Sequence, residues 1–190
     1  MKPRLILLLC LFLTCAALSR SASAQDDAKK SAGAKRSPIV SETERGWQRA
    51  KKWTLDYIDA MPENGMSFKP TPEIRSFSEQ MLHLAFWNYG LCEAVGGKAN
   101  PYGKDQATLE KRDDVKTKAE LRKVVEASYD NVLTAVAGLD EAKLLEQVSF
   151  FNSKLTRLTV LTFALDHQTH HRGQTTIYLR LKGVTPPPEP

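Results

Sequence analysis

One short pattern, a serine or threonine followed three residues later by a glutamate, constrains the fold of this chain most strongly. In such a capping box the hydroxyl accepts a hydrogen bond from the amide of the glutamate, whose carboxylate reaches back to the amide of the first residue. Each copy precedes a run with apolar residues at helical spacing, so each is predicted to begin a long helix. The copies are Ser41 with Glu44, Ser76 with Glu79, and Thr117 with Glu120.

Glycine and proline residues mark where these helices stop, because proline cannot continue a helix and glycine commonly follows one. Residues 63–72 and 98–116 are therefore predicted loops, and residues 140–147 form a short extra helix capped by Asp140. The predicted stops of the first three helices are Pro62, Gly96 with Gly97, and Gly138.

A fourth long helix is predicted from near Thr156 to Leu181, ending at Gly183. No segment shows the clean alternation of a strand, so the predicted class is all-α. Four long helices of this kind form a bundle, in which sites are built from side chains on facing helices. We place this domain at residues 41–183, which is enough chain to bury roughly two-thirds of its surface.

The first 24 residues have the layout of a secretory signal peptide. Lys2 and Arg4 form a basic head, residues 5–18 are apolar except for Thr14, and small residues precede a cut ahead of Gln25. The apolar run is short for a membrane span, and the alternative is an uncleaved anchor. We therefore expect an exported protein, periplasmic or secreted, without membrane attachment after cleavage.

The segments that flank the domain lack apolar periodicity. Residues 25–40 are rich in alanine, lysine and serine and are predicted to be a flexible linker. Residues 184–190 contain four prolines and are predicted to form an extended tail.

The excess of positive charge belongs to the N-terminus. The whole chain carries 27 basic and 22 acidic residues, and removal of residues 1–24 leaves 24 against 22. Removal of residues 1–36 leaves 20 of each. Because a nucleic-acid interface needs a concentrated basic face, the neutral domain argues against a nucleic-acid partner.

The cysteine count excludes an intrachain disulfide in the mature protein. Cys10 and Cys15 leave with the signal peptide, and only Cys92 remains. The exported domain must therefore rest on its own core.

All four histidines of the chain fall in two predicted helices. His83 lies in the second helix, and His167, His170 and His171 lie in the fourth. Histidine serves most often as a metal ligand or proton carrier, so this clustering predicts a single site.

The helical angles favour His167 and His171 over His170. At about 100° per residue, His167 and His171 share one face of the fourth helix. They continue an inward stripe that is apolar at its start and polar from His167 onward. His170 lies to one side, although geometry alone does not exclude it. The stripe also contains Val160, Ala164, Gln174 and Tyr178.

With His83, these two residues make a set of three neutral imidazoles that predicts a metal site with open coordination positions. Imidazole suits divalent transition metals such as zinc, nickel, iron or copper and disfavours calcium and magnesium. The pattern is not the His-Glu-x-x-His motif of zinc proteases, because Gln168 stands where that motif has its glutamate.

Several further residues have both a functional and a structural interpretation. Glu79 and Asp166 are candidate general bases, or else a cap partner and a surface charge. Gln80 and Gln174 either orient metal ligands or are plain amides. Four aromatic residues either line a pocket or belong to the core, namely Trp53, Tyr57, Trp87 and Tyr178.

At these residues the chain resembles the DinB/YfiT-like family of small metal-binding four-helix bundles. The resemblance rests on three segments and covers roughly residues 41–182. They are residues 68–75, residues 76–83 ending in His83, and residues 167–174 from His167 to Gln174.

The resemblance implies a divalent metal held by His83, His167 and His171. It also implies an antiparallel bundle with a long crossover between the second and third long helices, and a homodimer, since dimers are common in the family. Some members are similar to thiol-dependent transferases or isomerases and others to hydrolases. Export weakens the thiol-dependent interpretation, because low-molecular-weight thiols are depleted in oxidising compartments.

Three hypotheses follow. The first is a metal-dependent hydrolase or transferase that acts on a small molecule. The second is a non-catalytic metal- or ligand-binding protein of the cell envelope. The third is a bundle with a satisfied polar core and no metal.

Overall fold

The computed structural model describes residues 36–189. The predicted signal peptide lies outside these residues, as does most of the predicted linker. The described part contains six α-helices, a short 3₁₀ turn at Glu63–Gly65 and a two-stranded hairpin. The helices are α1 (Pro38–Ala60), α2 (Phe77–Ala94), α3 (Ala107–Glu110), α4 (Lys118–Ala137), α5 (Glu141–Leu145) and α6 (Arg157–Leu181).

Helix α1 begins earlier than its sequence pattern predicts. Its first residue is Pro38, which lies inside the predicted linker, and Ser37 is the N-cap residue without a side-chain cap. Proline suits the first helical position because the amide it lacks would be unpaired there. Ser41 lies within the helix and donates its hydroxyl to the Ser37 carbonyl at 3.0 Å, so the predicted capping box at Ser41 is wrong.

The other predicted helix starts are confirmed. Ser76 and Thr117 form complete capping boxes with Glu79 and Glu120 at the beginnings of α2 and α4. Asp140 caps α5, and Thr156 caps α6.

The four long helices pack in pairs around a shared apolar core. Helix α1 packs against α4 and α6, and α2 packs against the same two helices. Contacts such as Lys51 with Asp130 and Arg122 with Asp59 show that α1 and α4 are antiparallel. Helices α2 and α6 are also antiparallel. The all-α expectation is confirmed, and the largest fully buried side chains include Trp47, Tyr129, Phe77, Ile58, Leu121 and Leu179.

A long crossover, residues 95–117, joins α2 to α4. It returns the chain to the end of the bundle where α2 began, so α2 and α4 run parallel, with Asn88 beside Ser128 and Cys92 beside Asn131. The crossover contains α3, whose Leu109 is fully buried. Within residues 36–189, none of the helices has the length and hydropathy that a membrane span requires.

The β-hairpin is a regular element that the sequence pattern does not predict, as are α3 and the 3₁₀ turn, which lie in segments predicted to be loops. Strand β1 (Gln147–Phe150) pairs antiparallel with β2 (Ser153–Thr156), and residues 151 and 152 form the turn. Each strand has four residues, which is too short to show an alternating pattern. The hairpin leads directly into α6.

The C-terminal residues 184–189 have no regular secondary structure. The carboxylate of Glu189 accepts two hydrogen bonds from the Arg172 guanidinium, at 2.9 and 3.0 Å. Arg172 lies on α6 with only 2% of its surface exposed, so the end of the tail is fixed to the bundle.

Candidate metal centre

Helices α2 and α6 bring three histidines to one point. His83 projects from α2, and His167 and His171 project from successive turns of α6. One ring nitrogen of each lies within 4.8 Å of the other two. The ring centroids of His83 and His171 are 4.4 Å apart, and those of His167 and His171 are 4.5 Å apart. His83 and His171 are buried and His167 is partly buried, so the cluster is shielded from bulk water.

Two hydrogen bonds fix the orientation of His83 and His171. The Nδ1 atom of His83 lies 2.5 Å from a carboxylate oxygen of Glu110, and the Nδ1 atom of His171 lies 2.9 Å from Oε1 of Gln80. Both partner atoms are acceptors, so Nδ1 is the donor in each pair and Nε2 is the ring nitrogen left for a ligand. The two Nε2 atoms are therefore the available ligand atoms.

The amide of Gln80 is itself oriented by a second bond. Its Nε2 donates to Oε1 of Gln174 at 2.7 Å, which leaves its Oε1 to accept from His171. The expected orienting role of Gln80 therefore has a defined geometry.

His167 carries a buried polar atom without a partner. Among the described residues, its Nδ1 atom is one of two buried side-chain nitrogens that form no hydrogen bond. An unpaired buried nitrogen is costly, and a metal ion or another ligand at the cluster would compensate for it. The donor set of the cluster thus fits a metal ion.

The environment keeps two of the histidines neutral. Burial, together with the neighbouring histidines, lowers the pKa of His167 to about 4 and that of His171 to about 3. At neutral pH these imidazoles are uncharged, which is the form that binds metal.

His170 does not join the cluster. Its side chain is exposed, and its Nε2 lies 2.7 Å from Nε2 of Gln174, which donates to it. The preference for His171 over His170 agrees with this placement, and the assignment of metal ligands remains a prediction.

Glu110 is the main residue near the site that the sequence pattern does not predict. It lies on α3, in a segment predicted to be a polar loop, and Arg75 binds the same carboxylate at 2.8 Å. Burial alone would raise the pKa of Glu110, but the hydrogen bonds to His83 and Arg75 outweigh it and lower the pKa. The one local signal is Leu109, an apolar residue in a polar segment, which is fully buried and packs α3 against the bundle.

The two candidate general bases, Glu79 and Asp166, lie where their structural interpretation placed them, as a cap partner and a surface charge. Glu79 completes the capping box of α2 and pairs with Lys69 at 3.0 Å. Burial raises the pKa of Glu79, but its bonds to the Ser76 amide and Lys69 lower it overall. Asp166 is exposed on α6.

Of the four candidate aromatic residues, Trp87 is the one beside the histidines. Its ring lies 5.8 Å from that of His167 and 6.4 Å from that of His83. Tyr178 donates its hydroxyl to the Arg75 carbonyl. The others serve the packing of α1 and α6, with Tyr57 bonded to Thr176 and Trp53 beneath the Arg172 guanidinium.

Three imidazoles would leave the remaining coordination positions of a metal ion open. Nitrogen ligands of this kind suit zinc, nickel, iron or copper. Closed structural sites use four protein ligands, whereas catalytic sites keep a position for water or substrate.

Comparison with protein families gives a match over nearly all of the described chain. The sequence profile of the DinB family matches residues 38–189. The chain is 22% identical to YjoA of Bacillus subtilis over 136 residues, which are 70% of this chain and 83% of YjoA. It is 39% identical to YrdA of the same organism over 44 residues, and this match spans only 26% of YrdA.

Solved structures share the fold. A DinB-like protein from Bacillus cereus has a TM-score of 0.63 at 17% identity, over 77% of this chain and 94% of the other. The structure of YjoA from Bacillus subtilis has a TM-score of 0.61 at 17% identity, over 77% and 95%. A conserved protein from Enterococcus faecalis has a TM-score of 0.60 at 18% identity, over 78% and 98%.

Proposed function

The chain belongs to the DinB family, and from that premise we propose that it binds one divalent transition metal ion through His83, His167 and His171. The observation that carries the proposal is the convergence of three imidazole nitrogens within 4.8 Å. The unpaired Nδ1 of His167 supports it further. Zinc, nickel and iron are the candidate metals.

We propose that the protein is a metal-dependent hydrolase or transferase that acts on a small molecule. A metal held by three imidazoles would supply Lewis acidity to a substrate. Around it, Glu110 and Gln80 hold His83 and His171 with their Nε2 atoms toward the site. The burial of His83 and His171 excludes bulk water from one side of the cluster.

A specific observation favours a second candidate, a non-catalytic metal- or ligand-binding protein of the cell envelope. The carboxylate nearest to the cluster, that of Glu110, is already bound by His83 and Arg75. Within residues 36–189, Glu79 is engaged in a cap and Asp166 is exposed on α6. A proton acceptor for a hydrolytic reaction would therefore have to come from the substrate or the solvent.

Export and a homodimeric state are part of the proposal. The signal-peptide pattern of residues 1–24 supports a periplasmic or secreted protein. The neutral charge of the domain supports a small-molecule partner over nucleic acid. N-terminal sequencing of the secreted protein would test the cleavage ahead of Gln25, and light scattering would test the dimer.

The decisive experiment is elemental analysis of the mature protein after reloading with metals. We expect about one metal ion per chain in the wild type and in the His170→Ala control, and loss in His83→Ala and His171→Ala. Wild type that binds no metal would remove the proposal, and loss of metal in the His170 control would show that the ligand set is wrong. Metal-dependent turnover in a panel of hydrolase and transferase substrates would separate the enzyme from the binding protein.

A further inference from the structure

An apolar cleft lies beside the histidine cluster. It has a volume of about 290 Å³ and lies between α2, residues 100–104 of the crossover and the β-hairpin. Aromatic and small residues line it; we call this surface, formed by Phe86, Trp87, Gly90, Phe150 and Phe151, the aromatic cleft. Trp87 belongs to both places, since its ring also lies 5.8 Å from the ring of His167. The end of the cleft at Trp87 is therefore separated from the cluster by one indole ring.

The backbone at the edge of the cleft is strained. Phe151 is the first residue of the two-residue hairpin turn and has a φ of 49°. This left-handed region favours glycine, and a bulky side chain there is an outlier among protein structures. Phe151 is also the only residue other than glycine with positive φ within residues 36–189. A two-residue hairpin turn requires positive φ at this position, so the turn holds a phenylalanine where glycine or asparagine is usual.

The strained position presents an aromatic ring that the fold leaves uncovered. The side chain of Phe151 is 73% exposed, although it lies 6.3 Å from the Trp87 ring and 4.7 Å from the Phe150 ring. Neighbouring Phe163 is 49% exposed. Folding gains little from a ring that stays this exposed, whereas a ligand that packs against Phe151 and Trp87 from the cleft would bury it.

We propose that the aromatic cleft binds the ring of a neutral aromatic small molecule and directs the rest of that molecule toward the histidine cluster. The inference rests on the proposed metal site for its second part and names the substrate class of that site. The volume fits one ring or two fused rings and lies at the small end of ligand pockets. The walls favour a neutral ring, since the two charged residues at the cleft, Glu93 and Lys104, have opposite signs.

The test uses 5-fluoroindole as the probe and fluorine NMR as the measurement. We expect the probe signal to broaden and shift saturably with the mature protein, while 2-fluoroethanol, a polar control, shows no saturable change. Phe151→Gly removes the ring and relieves the backbone, so it should fold and bind the probe about tenfold more weakly.

A second variant fills the cleft instead of opening it. A Cβ at Gly90 meets no atom closer than 3.9 Å, so Gly90→Leu should fold with its side chain in the cleft and lose binding. Gly173→Leu is the matched control, because Gly173 is exposed on α6 with no atom within 4 Å of an added Cβ. It should bind the probe like the wild type.

Metal content separates this inference from the proposed function. Phe151→Gly and Gly90→Leu should keep one metal ion per chain, and His171→Ala should lose the metal and still bind the probe. If metal-loaded wild type shows no saturable binding of the probe, the inference about the cleft is wrong and the proposed metal site still stands. If Phe151→Gly and Gly90→Leu both bind the probe as well as the wild type, the binding site is not the aromatic cleft. A dimer that Phe151→Gly dissociates, without probe binding, would assign the ring to an interface between copies of the chain.

Discussion

At the scale of single residues, the candidate site depends on which nitrogen each imidazole keeps free. The Glu110 carboxylate accepts a hydrogen bond from Nδ1 of His83, and Oε1 of Gln80 accepts one from Nδ1 of His171. Such partners raise ligand basicity and hold the ring plane in place. Glu110 therefore has a positioning role, which acts on the site through His83.

Replacement of Glu110 should weaken metal binding more than it weakens the fold. We expect Glu110→Ala to lower metal affinity by about 10- to 100-fold, measured by competition with a chromophoric chelator. Glu110→Gln, whose oxygen can still accept from His83, should recover part of the affinity. Glu73→Gln is the control, since Glu73 is an exposed acidic residue that lines the same surface pocket as Glu110. Equal affinities in wild type and Glu110→Ala would refute the positioning role.

The low pKa values of His167 and His171 predict acid sensitivity of the metal-free protein. Their pKa values are about 4 and about 3 when folded, against an ordinary value of 6.5. At pH values between the folded pKa and 6.5, the unfolded chain binds more protons than the folded chain. The free energy of unfolding is therefore highest above pH 6.5 and falls as the pH decreases. The slope for each group is up to about 1.4 kcal/mol per pH unit.

Urea unfolding in the presence of a chelator, at pH 7.5, 6.5, 5.8 and 5, would measure this loss. The window stays above the range where most carboxylates titrate. The His171→Gln variant should lose about half of the slope, because one of the two groups is gone. A wild-type stability that is constant over the window would show that these histidines are not shielded as the structure indicates.

At the scale of elements, the serine or threonine of each predicted capping box contributes a different amount to the stability of its helix. Ser76 and Thr117 accept bonds from Glu79 and Glu120 amides, both at 3.2 Å. Ser41, within α1, makes no such contact. An N-cap side chain contributes about 1 kcal/mol, whereas a hydroxyl inside a helix contributes little.

Alanine substitutions should therefore distinguish Ser76 and Thr117, which cap helices, from Ser41, which has the same sequence pattern but lies inside a helix. We expect Ser76→Ala and Thr117→Ala each to lower the free energy of unfolding by about 1 kcal/mol, and Ser41→Ala to change it by less than about 0.5 kcal/mol. Urea unfolding of the three variants is the measurement. If Ser41→Ala cost as much as Ser76→Ala, the start of α1 at Pro38 would be incorrect.

At the scale of the whole molecule, the sequence predicts what is encoded locally. The four long helices and the shared face of His167 and His171 follow from spacing within one segment. The position of Glu110 does not, because it depends on where a 23-residue crossover, residues 95–117, folds back on the bundle. The hairpin is missed for a related reason. Each strand has only four residues, and it is the pairing between the two strands that defines the element, which the pattern of either strand alone does not reveal.

The C-terminal contact is also non-local, and it predicts a cost for removing the tail. Arg172 is buried and bonds both Gln168 and Glu189. Loss of Glu189 would leave part of the guanidinium without its carboxylate. We expect both Glu189→Gln and deletion of residues 184–190 to lower the free energy of unfolding by about 1–2 kcal/mol. Thermal denaturation would show this, and unchanged melting in both proteins would mean that the tail contact contributes nothing.

The separation of the histidines along the chain has a consequence for how a metal ion at the cluster would affect folding. His83 precedes the crossover, and His167 follows it, so an ion bound to both closes a loop that contains α3, α4, α5 and the hairpin. Because these two segments meet only in the folded chain, the binding site forms on folding and is absent from the unfolded chain. An ion that binds only the folded chain stabilises it in proportion to the logarithm of its free concentration. The cluster would then act as a clasp, and resistance of the folded chain to proteases would depend on the free concentration of the metal ion.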